Sequence, residues 1–161
     1  MSLIPQLLPP TNIVVDLDAS SKKRVFEQAG LIFENNQGIA RGTVFDSLFA
    51  RERLGSTGLG QGIAIPHGRI KGLQEAAGAF FRLATPVPFD APDGRPVGLL
   101  FVLLVPEQAN ETHLQLLSEL AQLFSDRNFR EALQAAPDAA HIHQLFLDWS
   151  GHAADQPPPT V

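Results

Sequence analysis

Histidine is the first residue type in this chain to question for chemistry, because the sequence contains no cysteine. That absence excludes disulfide scaffolds, thiolate nucleophiles and cysteine-based zinc sites together. Five histidines stand at positions 67, 113, 141, 143 and 152. His67 lies in Ile63-Ala64-Ile65-Pro66-His67-Gly68. A short β-type run delivers the chain to a sheet edge, proline stops the ladder, and glycine lets the backbone turn away. The ring between them is expected to project into a crevice. Two readings stay open on these residues alone. One is a loop histidine with a structural hydrogen bond. The other is a nucleophile or general base, since neutral imidazole is abundant at about pH 7.

His113 falls in Glu111-Thr112-His113, the first turn expected of a helix that follows an apolar strand. Helix N-termini attract anions, so a histidine there can serve an anion site; taken alone it is an ordinary exposed first-turn residue. His141 and His143 are two positions apart on an expected helix, hence on nearly opposite faces, and cannot share one metal ion. His152 lies in the C-terminal stretch. No metal centre is expected. Gly58, Gly60 and Gly62 spell G-x-G-x-G, but a dinucleotide fingerprint follows a strand and opens a helix, and this one does the reverse. Ser56 and Ser118 lack any nucleophile-elbow signature.

The elements that position these residues can be read from pattern. Asn12 to Leu17 is expected to form a strand. Ser20 or Ser21 then starts a helix with Val25, Phe26, Ala29, Ile32 and Phe33 inward, ending near Gly38. Thr43 reads as the next cap, with Val44, Phe45, Leu48 and Phe49 inward and Gly55 closing the helix. Ala77–Leu83 and Val97–Val105 read as strands around a turn at Pro92-Asp93-Gly94-Arg95. The second strand, GLLFVLLV, does not alternate, so both of its faces should be covered. Leu114, Leu117, Leu120, Ala121 and Phe124 make one helical stripe; Asp126 and Asp138 cap two further helices, the last with Ile142, Leu145, Phe146 and Trp149 inward. The order predicts an α/β/α sandwich with a mixed central β-sheet and helices on both faces.

Composition bounds the rest. With 161 residues and 44% apolar content, the chain fits one domain able to bury roughly 70% of its unfolded surface. Twelve Lys+Arg against seventeen Asp+Glu give a net charge of −5, which argues against nucleic acid or an anionic membrane as partner. The start, MSLIPQLLPP, has neither a basic region nor an apolar run suited to a signal peptide, and no run is long enough for a bilayer span. A cytoplasmic location is expected. Residues 1–11 and 150–161 read as tails, the second flexible and Pro-rich, around a domain at 12–149.

The stretch Thr57-Gly58-Leu59-Gly60-Gln61-Gly62-Ile63-Ala64-Ile65-Pro66-His67-Gly68 resembles the phosphohistidine motif of fructose/mannitol-type enzyme IIA domains of the bacterial phosphotransferase system. Arg51-Glu52-Arg53-Leu54-Gly55-Ser56 before it, and Phe89-Asp90-Ala91, Leu99-Leu100-Phe101, Leu103-Leu104-Val105-Pro106 and Thr112-His113-Leu114 after it, are similar to the nitrogen-regulatory branch. The resemblance implies a phosphoryl relay without cofactor or metal. His67 would accept the group on Nε2 from an HPr-like phosphohistidine carrier, itself charged from phosphoenolpyruvate. Arg51 and His113 would complete the site, stabilising and positioning the phosphoryl group. It also implies an α/β sandwich and regulatory target proteins that the sequence does not name. Two alternatives remain: a sugar-specific IIA component that passes phosphate to a separate IIB domain, and a binding module that keeps the fold without the relay.

Overall fold

A computed structural model describes residues 4–108 and 111–155, with side chains as far as Trp149. The elements run α1 (Ile4–Leu7), a single 3-10 turn (Pro10–Asn12), β1 (Ile13–Leu17), α2 (Lys22–Gln37), α3 (Arg41–Glu52), β2 (Gly58–Gly60), β3 (Ile63–Ala64), β4 (His67–Ile70), β5 (Ala77–Val87), β6 (Val97–Pro106), α4 (Glu111–Ser125), α5 (Arg127–Ala135) and α6 (Ala139–Asp155). The strands form one mixed sheet in the order β1-β5-β6-β3-β2, with β4 also paired to β6. β1 runs parallel to β5, β5 antiparallel to β6, and β3 and β4 both parallel to β6.

β6 is the axis of the domain, and the burial of Val97–Val105 agrees with a strand covered on both faces. Its alternate side chains enter two cores. Leu99, Phe101, Leu103 and Val105 pack with α4, α5 and α6. Leu100, Val102 and Leu104 pack with Phe26, Phe33, Val44 and Leu48 of α2 and α3. The result is the α/β/α sandwich expected from the pattern, since period-two alternation along one strand feeds two helical layers.

Caps account for several boundaries. Ser21 Oγ accepts the Arg24 N–H and opens α2; Gly38, left-handed at φ 70°, closes it. Asp126 caps α5 through the amides of Asn128 and Phe129, and Asp138 Oδ1 accepts the His141 N–H at the start of α6. Thr43, expected as a cap, instead lies within the first turn of α3, whose N-cap is Ala40 without any side-chain bond.

Two further expectations are corrected. Residues 4–11 are not a tail: Ile4 and Leu8 are fully buried and Leu7 nearly so, all in the α4–α6 core. Positions 4, 7 and 8 share one helical face, but one short turn among three prolines is too brief for periodicity to register. Fully buried Asn12 then ties the segment down. Its amide donates to Gly78 O and to Gln37 Oε1, both at 3.0 Å, and its carbonyl accepts from Asn36 Nδ2 at 2.7 Å. At the other end α6 continues to Asp155, into the stretch read as a flexible tail; residues 156–161 and the side chain of His152 lie outside the described residues.

Candidate functional site

β3 and β4 lie along β6 in one continuous register, Ile63 and Ala64 opposite Leu99 and Leu100, then His67 and Gly68 opposite Leu103 and Leu104. The interruption is Ile65-Pro66. Leu103 N–H still donates to Pro66 O at 2.9 Å, so proline interrupts the strand without ending it. Here the sequence expectation is revised: Gly68 does not turn the chain away. It sits in β4 because α3 passes directly over it. A Cβ at 68 would overlap the Ser47 hydroxyl and approach the Ser47 backbone to 3.1 Å. Ser47 Oγ donates to Arg69 O at 2.8 Å across the same contact. Arg51 is one helical turn beyond Ser47 on the same face of α3.

This docking opens a cavity of about 580 Å³ whose lining includes Ser47, Arg51 and Leu54, His67 and, from α4, His113 and Leu114. The three candidate residues, spread over sixty-two positions of sequence, therefore meet at one cavity. His141 lies elsewhere, bonded to its own cap residue Asp138 at 2.6 Å, and neither it nor His143 lines this cavity.

Leu114 requires a correction. It was expected in the buried stripe of α4 but is 66% exposed, and with Leu54 at 84% it forms an apolar rim of the cavity. The inward face is Leu116, Leu120, Leu123 and Phe124, partly out of phase with the stripe that the pattern predicts. A helix this leucine-rich offers two overlapping periodic series, and only the packing decides between them.

His67 is half-buried, and its Nδ1 lies 2.9 Å from Ile65 O. A carbonyl oxygen only accepts, so the proton sits on Nδ1 and the neutral ring presents the Nε2 lone pair. Burial, with a smaller push from the Arg51 guanidinium, holds the ring below its ordinary value of 6.5; the Ile65 carbonyl and the Glu52 carboxylate act in the opposite direction. The site thus keeps a neutral imidazole of defined tautomer beside a cation. Arg51 is itself tethered, Nη1 donating to Gly55 O at 2.8 Å.

Residues 6–149 match the family described as phosphoenolpyruvate-dependent sugar phosphotransferase system, EIIA 2. The chain belongs to that EIIA family. The nitrogen regulatory protein of Pseudomonas aeruginosa is 46% identical to it over 149 residues, 92% of this chain and 97% of the relative. The crystal structure of nitrogen regulatory protein IIA-Ntr from Neisseria meningitidis superposes with a TM-score of 0.85 at 53% identity, covering 89% of this chain and 99% of that one. IIA mannitol from Escherichia coli superposes at 0.72 with 22% identity over 85% of this chain and 96% of its own, a likeness of fold alone. No described helix of this EIIA chain is long and apolar enough to cross a membrane.

One buried charged residue next to Arg51 is not singled out by sequence reasoning. Glu52 is buried at the end of α3, accepting from both the amide and the hydroxyl of Thr57. Its only sequence signal was position: a carboxylate directly after Arg51 and five residues before a threonine that opens the glycine-rich stretch.

Proposed function

We propose that this EIIA protein accepts a phosphoryl group on Nε2 of His67 from an HPr-like phosphohistidine carrier, and that its phosphorylation state acts as a nitrogen-related regulatory signal to cytoplasmic target proteins. The observation that carries the reading is the bond from His67 Nδ1 to Ile65 O. It leaves the Nε2 lone pair for chemistry, on a ring that lines one cavity with Arg51 and His113.

In the step itself the Nε2 lone pair attacks phosphorus in line with the carrier's N–P bond. That bond breaks as the new one forms, and its electron pair returns to the carrier's imidazole. His67 keeps its Nδ1 proton and becomes positively charged, which strengthens the hydrogen bond to Ile65 O. Phosphoryl transfer asks a protein mainly for alignment and for stabilisation of the equatorial oxygens. A guanidinium offers a planar fork for two of those oxygens. The N-terminal turn of α4, which carries His113, presents the positive end of a helix to the same anion. The regulatory half of the reading is supported by similarity to nitrogen regulatory proteins over most of the chain.

The test is incubation with phosphoenolpyruvate, the first enzyme of the system and the carrier, followed by intact-mass spectrometry. One phosphoryl group, acid-labile and alkali-stable as a phosphoramidate is, should appear on the wild type and be absent from a folded His67→Ala variant. Undiminished labelling of that variant, or acid-stable phosphate on Ser56 or Thr57, would remove His67 from the role.

A further inference from the structure

The turn between α3 and β2 is built around a carboxylate that the roles of His67, Arg51 and His113 leave unused. The Glu52 side chain is 4% exposed. Its Oε2 accepts the Thr57 N–H at 2.8 Å and its Oε1 the Thr57 hydroxyl at 2.6 Å. Two donors from one residue five positions on close residues 53–56 into a loop. Within it, Gly55 offers its carbonyl to Arg51 Nη1 at 2.8 Å. Lys22, at the N-terminus of α2, supplies the countercharge at 3.6 Å from Glu52 and lies 4.6 Å over the Phe89 ring. On the far side Ser56 Oγ donates to Phe89 O and accepts the Gly58 N–H at 3.0 Å.

This construction is large for an otherwise exposed turn. Arg53, Leu54 and Gly55 are all exposed. The Gly55 carbonyl is therefore held in place by the Gly55 N–H bond to Glu52 O at 3.1 Å and by the anchored neighbours Ser56 and Thr57. The Glu52–Thr57 pair is the buried charged part of that hold. Arg51 and Glu52 are neighbours in a helix, so their side chains diverge by about 100° around its axis. Arg51 can face the cavity while Glu52 faces the loop. A guanidinium on a long flexible stem gains from a fixed partner, because a planar fork stabilises transferred charge only when it is already aligned.

We infer that Glu52 and Thr57 form a clamp that positions Arg51, through the Gly55 carbonyl, for the phosphoryl group on His67. The inference rests on the proposed roles of His67 and Arg51. Glu52 and Thr57 are positioning residues: their hydrogen bonds bear on the reacting group through Arg51, beside the direct charge effect of the Glu52 carboxylate on the His67 ring.

Two measurements separate this from simple structural support. The first is a double-mutant cycle. Thr57→Val keeps the branched shape and the backbone N–H but removes the hydroxyl. It should lower kcat for phosphoryl transfer from the carrier on the order of threefold to tenfold, the range for one lost hydrogen bond, with carrier KM unchanged. In an Arg51→Ala background it should cost nothing more, and Thr57→Ser should restore the wild-type rate. The second needs no phosphate. Arg51 holds the His67 titration down while Glu52 raises it. Thr57→Val retains both charges, so a freed Arg51 should let the His67 midpoint rise, as read by NMR on the resting protein. Equal fold-losses in both Arg51 backgrounds, or a His67 midpoint that Thr57→Val leaves unmoved, would overturn the clamp. If the wild type takes up no phosphate, the reading of His67 fails, while the titration still decides whether Thr57 governs Arg51.

Discussion

His67 Nδ1 and the Ile65 carbonyl, two residues apart across a proline, are 2.9 Å from one another. The bond spans the interruption between β3 and β4. Ile65 N–H is engaged by Thr57 O at 3.0 Å, which holds this backbone from the other side. A ring so fixed cannot exchange tautomers without giving up that bond, so one nitrogen remains bare in the resting state. The consequences can be measured.

The imidazole should titrate below 6.5, with burial the main cause and Arg51 the second. The native state then resists a proton that the unfolded chain accepts. Stability contributed by the neutral ring is complete above about 6.5 and is lost as pH falls into the window below it. Relative to His67→Gln, the wild type should therefore lose stability on acidification through that window, measured as urea midpoints at stepped pH. A His67 NMR midpoint at or above 6.5 would contradict the burial argument.

Arg51 should matter by geometry as well as charge. Arg51→Lys keeps the cation and loses the fork; Arg51→Ala loses both. Transfer should slow and the phosphoprotein should hydrolyse faster, by about 1–3 kcal/mol for a charge-assisted contact, with lysine intermediate. Arg51→Ala should also raise the His67 midpoint, because one of its two depressing influences is gone. Wild-type phosphorylation and hydrolysis rates in both variants would make Arg51 an ordinary helix-end cation.

His113 lines the same cavity as His67 from the first turn of α4. His113→Ala should slow transfer while leaving the phosphate on His67, as peptide mapping under alkaline conditions would show. Phosphate found on His113 itself in the wild type would mean that the two histidines exchange roles.

Much of this was legible because periodicity and caps agree. The unbroken apolar run 97–105 announced a strand covered on both sides, and β6 is buried throughout it. Ser21, Gly38, Asp126 and Asp138 mark helix ends by local chemistry alone. What escaped the reading depends on distant partners. Ile4 and Leu8 are buried by α6 and the sheet, contacts that no local pattern encodes. Leu114 and Leu116 are both plausible core residues until the helix docks. Glu52 carries no local signal that sets it apart; only the fold supplies Thr57 and Lys22 to satisfy it. At the site, motif resemblance singled out His67, Arg51 and His113 together, whereas the reason for Gly68 emerged only from the path of α3.

Gly68 offers the most direct test of how α3 sets the site. A methyl at this position would overlap the Ser47 hydroxyl, with Ser47 Cβ and backbone carbon both at 3.1 Å. The serine can rotate, but its backbone cannot yield without lifting α3. Overpacking of this kind costs about 1–3 kcal/mol. Because α3 also carries Arg51, Gly68→Ala should reduce transfer along with stability. Gly42 is the control, an exposed residue in the first turn of the same helix with nothing within 4 Å of a built Cβ. Alanine there should stabilise by about 0.5–1 kcal/mol through helix propensity and leave transfer unchanged. Adding Ser47→Ala to Gly68→Ala should recover only part of the loss. It removes the hydroxyl overlap but leaves the close Cβ and backbone contacts, and it deletes the bond from Ser47 to Arg69 O. Urea denaturation and carrier-dependent phosphorylation, measured on the same four proteins, decide the matter. If Gly68→Ala is as stable and as active as Gly42→Ala, α3 does not press on β4 at this point, and the placement of Arg51 must be attributed to the 52–57 loop alone.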